Sequence, residues 1–493
     1  MNKISRRDFF KVAGVGAAGV ALSNPFQAMA AAKKKTAPSD TVNICLIGCG
    51  AQGPGVANGF DGLPDCQVVA CCDVHQRKYE KFQNQYAEKG RKIAGYQYFE
   101  KVMENKDVDA CVIATPDHWH SLIGVAACQA GKDIYVEKPM SFTVFEGEQL
   151  VKAVRKYSRM MQTGSMQRSM PTFEHFVDIA HSGVLGAIKR VYAPVGAAPH
   201  PIDYKEEPVP AGLDWDRWKG PLGGPKGPLP ADQYFYNHEL CPEPNDGSWG
   251  GWRWHVGLGG GYTTDWGAHM FDIGQWALGK DGLAPVKVLP PETSPYGKLT
   301  YVYDNGIEMI QGYDPEDADR GQSVKIYGEH GWIFASRSAY YCSNPEWSRE
   351  GQNDSNYPSA AELKKQAEER RAQQEAMAKM TPEERQAYME KQRAARASQQ
   401  SQFRAGVSRD GNEVNSKHHV SFVNAIKTRV DPNTPVEIGQ SSSITCNIGN
   451  IAYQLKRTVY WNPVKKQFIG DSEANNHYIM KYEMRNPWQI DNI

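Results

Sequence analysis

The sequence carries no excess of charge of either sign. Its 56 Lys and Arg balance 56 Asp and Glu over 493 residues, so it lacks the basic surface that nucleic-acid binding would need. Beyond its N-terminal segment it also lacks any apolar run long enough to cross a bilayer. Cysteine is present in ten copies, yet half of them (Cys45, Cys49, Cys66, Cys71 and Cys72) crowd two apolar stretches. There they serve as small buried residues, and no disulfide framework is expected. Metal-ligand spacing is missing as well: His118 and His120 have no third ligand at matching distance, so no metal is expected.

What is present begins at the N-terminus. Ser5-Arg6-Arg7-Asp8-Phe9-Phe10-Lys11 precedes an apolar run of small residues at 12–22, and Ala28-Met29-Ala30 offers a cleavage site. This pattern predicts a twin-arginine signal peptide over 1–32, a polar linker over 33–41, and export to the periplasm. No cysteine lies near the cleavage site, so no lipid anchor and no membrane attachment are expected once the signal is removed. Export in the folded state also agrees with free thiols. The rest of the chain is long enough for two domains.

The first domain is organised around Val42-Asn-Ile-Cys-Leu-Ile-Gly48-Cys49-Gly50-Ala51-Gln52-Gly53. A buried strand runs into a G-x-G-x-x-G turn and a helix. Gly48 allows the tight turn, Gly50 lets a pyrophosphate approach the backbone, and Gly53 lets helix and strand pack closely. The amides that open the helix face the phosphates. A second strand starting at Cys66 ends in Asp73, 20 residues past Gly53. A carboxylate there accepts the ribose hydroxyls of NAD and repels the 2′-phosphate of NADP, so NAD is the expected cofactor. Residues 96–100 predict a short strand. Residues 109–115 predict a buried one that ends at Thr115-Pro116, with His120 just beyond. A further strand ends in Glu137-Lys138-Pro139, and its lysine is aimed at the crevice. Thr115, Pro116, His120 and Glu137 join the expected cofactor contacts. The domain is assigned to 42–160.

The second domain, 161–475, opens with a strand that leads to Arg168. Residues 199–262 form a long Gly-, Pro- and Trp-rich stretch containing Trp252, Arg253 and His255. Aromatic faces suit sugar rings, and a loop this long is usually functional. Arg168, Trp252, Arg253, His255 and Asp272 are candidate sugar contacts. Thr263 or Thr264 can cap a helix that reaches 278, placing Asp265, His269 and Asp272 at i, i+4 and i+7 on one face. That face admits three readings: a histidine base oriented by a carboxylate, a metal-binding face, or a buried structural histidine. Strands resume over 286–335, with Asp304-Asn-Gly as a hairpin turn. Residues 355–405 read as a solvated helical arm, and 476–493 as a tail.

The two motifs Gly48-Cys-Gly-Ala-Gln-Gly53 and Ala130-Gly-Lys-Asp-Ile-Tyr-Val-Glu-Lys-Pro139 resemble the glucose–fructose oxidoreductase / inositol dehydrogenase / MocA family. Gly259-Gly-Gly-Tyr-Thr-Thr-Asp265-Trp-Gly-Ala-His269 is similar to that family's second signature. The resemblance covers roughly 42–340 and 416–470. It implies an α/β fold: an N-terminal Rossmann doubly wound parallel sheet, then an α+β domain with a large, mostly antiparallel sheet. It also implies hydride transfer between NAD and a hydroxyl of a sugar, glycoside or cyclitol, with Lys138, Asp265 and His269 as catalytic residues. Asp265 is expected to hold His269. Some relatives use the same chemistry transiently to cleave glycosidic bonds. A tightly held cofactor and a homo-oligomer, dimer or tetramer, complete the expectations.

Overall fold

Short apolar strands alternate with helices from Val42 onward. The computed structural model describes residues 40–490 except 225–226, 245, 247, 316–320, 349–359, 382–383, 386, 389–390 and 392–410, together with residue 493. The signal segment lies outside the described residues. The strands of the first sheet are β1 (Val42–Ile47), β2 (Cys66–Cys72), β3 (Ala94–Tyr96), β4 (Ala110–Ile113), β5 (Asp133–Val136) and β6 (Met161–Thr163). They pair in the order β3-β2-β1-β4-β5-β6, parallel throughout. The order reverses between β1 and β4, which is where a doubly wound sheet opens its crevice. The crossovers carry α1 (Gly53–Asp61), α2 (Gln76–Ala87), α3 (Phe99–Glu104), α4 (Asp117–Gln129) and α5 (Val144–Lys156). Helices cover both faces, so the strands are apolar on both sides, and β4 is buried at every position.

Two boundaries differ from expectation. Met161–Thr163 pairs with β5, so the first sheet continues past 160. The strand expected at 96–100 ends at Tyr96, and Phe99–Glu104 is helical.

The chain then adds α6 (Pro171–His181), β7 (Arg190–Tyr192), α7 (Trp215–Lys219), α8 (Gly261–Asp265) and α9 (Gly267–Ala277). Next come β8 (Lys287–Leu289), β9 (Thr300–Val302), β10 (Glu308–Ile310), β11 (Ser323–Tyr327), β12 (Trp332–Ser336) and β13 (Tyr340–Cys342). Helices α10 (Ala360–Ala378), α11 (Gly411–Thr428) and α12 (Val436–Leu455), strands β14 (Val459–Asn462) and β15 (Gln467–Phe468), and the short α13 (Ser472–Asn475) follow. Nine strands form one sheet in the order β13-β12-β11-β7-β10-β9-β8-β14-β15. It is antiparallel except where β7 meets β10. Val191, Met309 and Ile326 of this sheet share a core with Phe271 of α9 and Ile448 of α12.

The single helix expected over 263–278 is interrupted at Trp266, among glycines that form helix poorly. Neither Thr263 nor Thr264 caps it; the Thr264 hydroxyl bonds the Gly261 carbonyl instead. Of the expected arm, α10 is described, followed by a reciprocal cap between Thr381 and Glu384. The remainder of 355–405 lies largely outside the described residues. All ten cysteines are buried and unbridged.

Candidate active site

The glycine turn after β1 works at each of its three positions. Gly48 has φ +97°, and a Cβ there would sit 2.6 Å from the Ala114 carbonyl. A Cβ on Gly53 would lie 2.0 Å from the Gly48 oxygen, whereas one on Gly50 would meet nothing within 4 Å. Gly48 and Gly53 thus close the turn, and Gly50 leaves the backbone open to a phosphate. No side chain caps the first turn of α1. Asp73, just past β2, accepts the Cys49 amide on Oδ2 at 2.8 Å and the His75 amide on Oδ1 at 2.9 Å. It therefore steadies the glycine turn while facing the cleft. That cleft has a volume of about 380 Å³, and Gly48, Gly50, Gln52, Asp73, Thr115 and Pro116 line it. Turn, open amides and carboxylate all fit a bound NAD.

The Trp-rich stretch forms the roof of this cleft. Trp218, Cys241, Trp252 and Arg253 of that stretch line it together with the glycine turn. On one flank the roof is tied to α2: Lys78 Nζ lies 3.8 Å from Cys241 Sγ, and Lys81 donates to the Pro244 carbonyl at 2.7 Å. On the other flank His118 Nε2 and Trp119 Nε1 both reach the Trp218 carbonyl, at 2.9 and 3.0 Å. The C-terminal tail then passes over the roof. Arg485 bonds the Gly220 carbonyl at 3.1 Å and the Asp216 carboxylate at 2.6 Å, and Trp488 packs edge-on to Trp119.

Beside the cleft, Lys138, just past β5, meets Asp265 at the end of α8. Lys138 Nζ donates to Asp265 Oδ1 at 2.8 Å and to its carbonyl at 3.1 Å. Asp265 therefore holds Lys138 and not His269, contrary to expectation, because the break at Trp266 separates the two residues that a continuous helix would have aligned. His269 is buried, and its Nδ1 has no hydrogen-bond partner. Burial, helped by Lys138 and Arg337, holds its imidazole well below the ordinary value. Arg253 lies between the rings of Trp249 and Trp252, at 4.8 and 4.4 Å, with its Nε 3.8 Å from Asp265. It links the cofactor cleft to the Lys138–Asp265 pair. Asp117, at the start of α4, faces Arg253, Lys138 and Asp265, and burial pushes its carboxyl up to about 7.

Several expected contacts lie elsewhere. His120 is buried, with Nδ1 2.7 Å from the Pro139 carbonyl and Nε2 2.9 Å from that of Thr115; it clips two strand ends together behind the cleft. Glu137 is buried behind Lys138 and accepts that residue's amide at 3.3 Å. Arg168 spends its donors on Asp272, at 2.7 and 2.8 Å, and on Asp281, at 2.6 and 2.9 Å. Arg168 and Asp272 thus form a buried ion pair, with the arginine's donors already taken up. His255 donates to the Val256 carbonyl and stacks on Tyr204. Trp252 and Arg253 line the cofactor cleft rather than a separate sugar pocket. No trio of His, Cys, Asp or Glu among the described residues has metal-ligand geometry.

Three sequence models match the chain. Residues 42–165 match the NAD-binding Rossmann fold of an oxidoreductase family, and residues 410–490 match that family's C-terminal alpha/beta domain. Both matched segments are those of the Gfo/Idh/MocA oxidoreductase family. Residues 3–23 match a twin-arginine translocation signal, so this oxidoreductase is marked for export across the cytoplasmic membrane. A glycosyl hydrolase family 109 protein of Solibacter usitatus (strain Ellin6076) is 34% identical over 161 residues, which cover 31% of this chain and 36% of the relative. The chain thus spans about a third of that relative's length. The fold matches an aldose-aldose oxidoreductase of Caulobacter crescentus at a TM-score of 0.51 and 15% identity, covering 85% of this chain and 99% of that one. It also matches a scyllo-inositol dehydrogenase of Lactobacillus casei at 0.50 and 14% identity, with coverage of 85% and 99%.

Proposed function

We propose that this protein is an exported, NAD-dependent oxidoreductase acting on a hydroxyl-bearing carbon of a sugar, glycoside or cyclitol. The observation that carries the reading is the Lys138–Asp265 pair, set with neutral His269 at the edge of a cleft suited to NAD. Bound NAD would supply the hydride acceptor. In the oxidative direction His269 takes the hydroxyl proton, because its depressed imidazole is uncharged and free to accept at neutral pH. Lys138 commits two of its three N–H groups to Asp265. The third bonds the substrate oxygen as it becomes a carbonyl. Asp265 acts through Lys138 by fixing where that third donor points. Asp73 favours NAD over NADP, and the roof favours retention of the cofactor. The periplasm is the proposed working compartment, and a homodimer or homotetramer the proposed assembly.

The relatives named as glycosyl hydrolases favour a second reading. There the oxidation is transient, and a glycosidic bond breaks before the carbonyl is reduced again. Incubating the purified protein with nitrophenyl glycosides, while following both carbonyl product and released nitrophenol, separates the two. Carbonyl product alone supports the dehydrogenase, and released nitrophenol supports the second reading. Neither signal across a broad panel, from protein with intact NAD, would leave a binding protein and overturn both.

A further inference from the structure

Arg337 lies in the hairpin between β12 and β13, outside every motif of the sequence. Its guanidinium sits over the Trp266 ring, 4.5 Å from the centroid, and its Nε donates to Gln167 Oε1 at 2.9 Å. Trp266 in turn meets His269 edge-on at 5.6 Å. Arg337 therefore lies one indole ring away from His269, and its field acts on that histidine. The side chain is exposed. Its two terminal nitrogens bond no acceptor, and it forms no ion pair, among the described residues.

The other cations near the site are already engaged. Lys138 is bonded to Asp265, Arg253 lies against the same carboxylate, and Arg168 is saturated by Asp272 and Asp281. The carboxylates whose fields reach Arg337 are Asp265 and Glu137. The first belongs to Lys138, and the second is buried behind it. A guanidinium held over an indole, with its outer fork open, matches the two oxygens of a carboxylate. A hydroxyl offers that fork no comparable pair of acceptors.

We propose that Arg337 recognises a carboxylate on the substrate, so that the sugar taken by this site is a uronic-acid type rather than a neutral one. The inference rests on the reading of this site as a sugar oxidoreductase.

The test is calorimetric titration of the purified protein, with its retained cofactor, against methyl β-D-glucuronide and methyl β-D-glucoside. The glucuronide should bind about ten- to a hundredfold more tightly, the range for a hydrogen bond to a charged group. Arg337→Gln should abolish the preference. Arg337→Lys keeps the charge without the fork and should restore only part of it. Thermal melts check that each variant folds, and the lysine variant still decides the matter should the glutamine variant not fold. Equal affinities in the wild type, or a preference that survives Arg337→Gln, overturn the assignment. Because binding is read without turnover, clear discrimination in a protein that oxidises neither sugar would count against the hydride chemistry and leave Arg337 as the carboxylate contact.

Discussion

Lys138 Nζ lies 2.8 Å from Asp265 Oδ1, joining residues 127 apart in sequence. The pair places the end of β5 against the end of α8, so the ammonium is aimed by a residue on the far side of the site. Lys138→Ala and His269→Ala should each lower kcat by at least ~100-fold, the usual scale of lost acid–base help.

Asp265→Asn should have a smaller effect, roughly ten- to a hundredfold on kcat, since it weakens one bond to a charged group. Asp265→Glu should recover part of the loss. Cofactor content should stay the same in all four variants, because none of these side chains lines the cleft. Turnover in Asp265→Asn equal to the wild type would remove the pair from the mechanism.

Part of this site is legible in the sequence, for local reasons. The glycine turn, Asp73 and Lys138 all sit at strand ends, where a few neighbouring residues dictate backbone path and side-chain direction. Partner choice by long side chains is another matter. Helical spacing assigns Asp265 to His269, yet the interruption at Trp266 gives it to Lys138. Nothing near Arg168 announces Asp281, 113 residues on. Arg337 lies in a plain Ser-Arg-Ser hairpin, and only the fold of β11 to β13 carries it to Trp266. The tail is likewise unreadable locally, because Arg485 finds Asp216 across 269 residues.

Cofactor choice follows from Asp73. NAD should bind much better than NADP, and Asp73→Ser should narrow the gap. The carboxylate also holds the Cys49 amide, so the same change should weaken NAD itself by a bond's worth, about tenfold. Paired titrations of apo-protein read both effects. A wild type that prefers NADP would refute this assignment of the strand end.

Acid should destabilise the fold near pH 5 to 6. Burial holds His118 and His120 down to about 4 and His418 to about 3, and it keeps His269 well below the ordinary imidazole value. As pH falls from ~6.5, the unfolded chain takes up protons on these four rings while the folded chain does not, so stability is lost. Two carboxyls act oppositely. Burial pushes Asp117 up to about 7 and Glu146 to about 8, so in this window the folded state holds protons that the unfolded chain has released. His75, His255 and His477 are lowered as well, and Glu137 and Asp272 raised, so the lowered rings still outnumber the raised carboxyls and the unfolded state binds more protons, each worth ~1.4 kcal/mol per pH unit. Thermal midpoints should therefore fall steadily between pH 6.5 and 5. A midpoint that is flat or rises on acidification would contradict the neutral state of these histidines.

Retention of the cofactor should depend on the tail. A twin-arginine signal sends out a folded protein, and free NAD is not expected to be supplied beyond the inner membrane, so the cofactor must travel inside. The roof closes the cleft, and α2, the start of α4 and the tail all hold the roof. Of these anchors Arg485 is the most separable, because its contacts with Gly220 and Asp216 involve the roof alone. Arg485→Ala removes a bond to a charged group and should speed NAD release by about ten- to a hundredfold, with kcat at saturating NAD little changed. The wild type should keep NAD(H) through dialysis, and oxidation of a first sugar should stall near one equivalent until a keto-sugar acceptor is added. Release rates are read by gel filtration followed by the absorbance of the displaced cofactor. Rapid exchange of NAD in the wild type, with many turnovers driven by free NAD alone, would show that the roof opens freely and that the tail is not a strap.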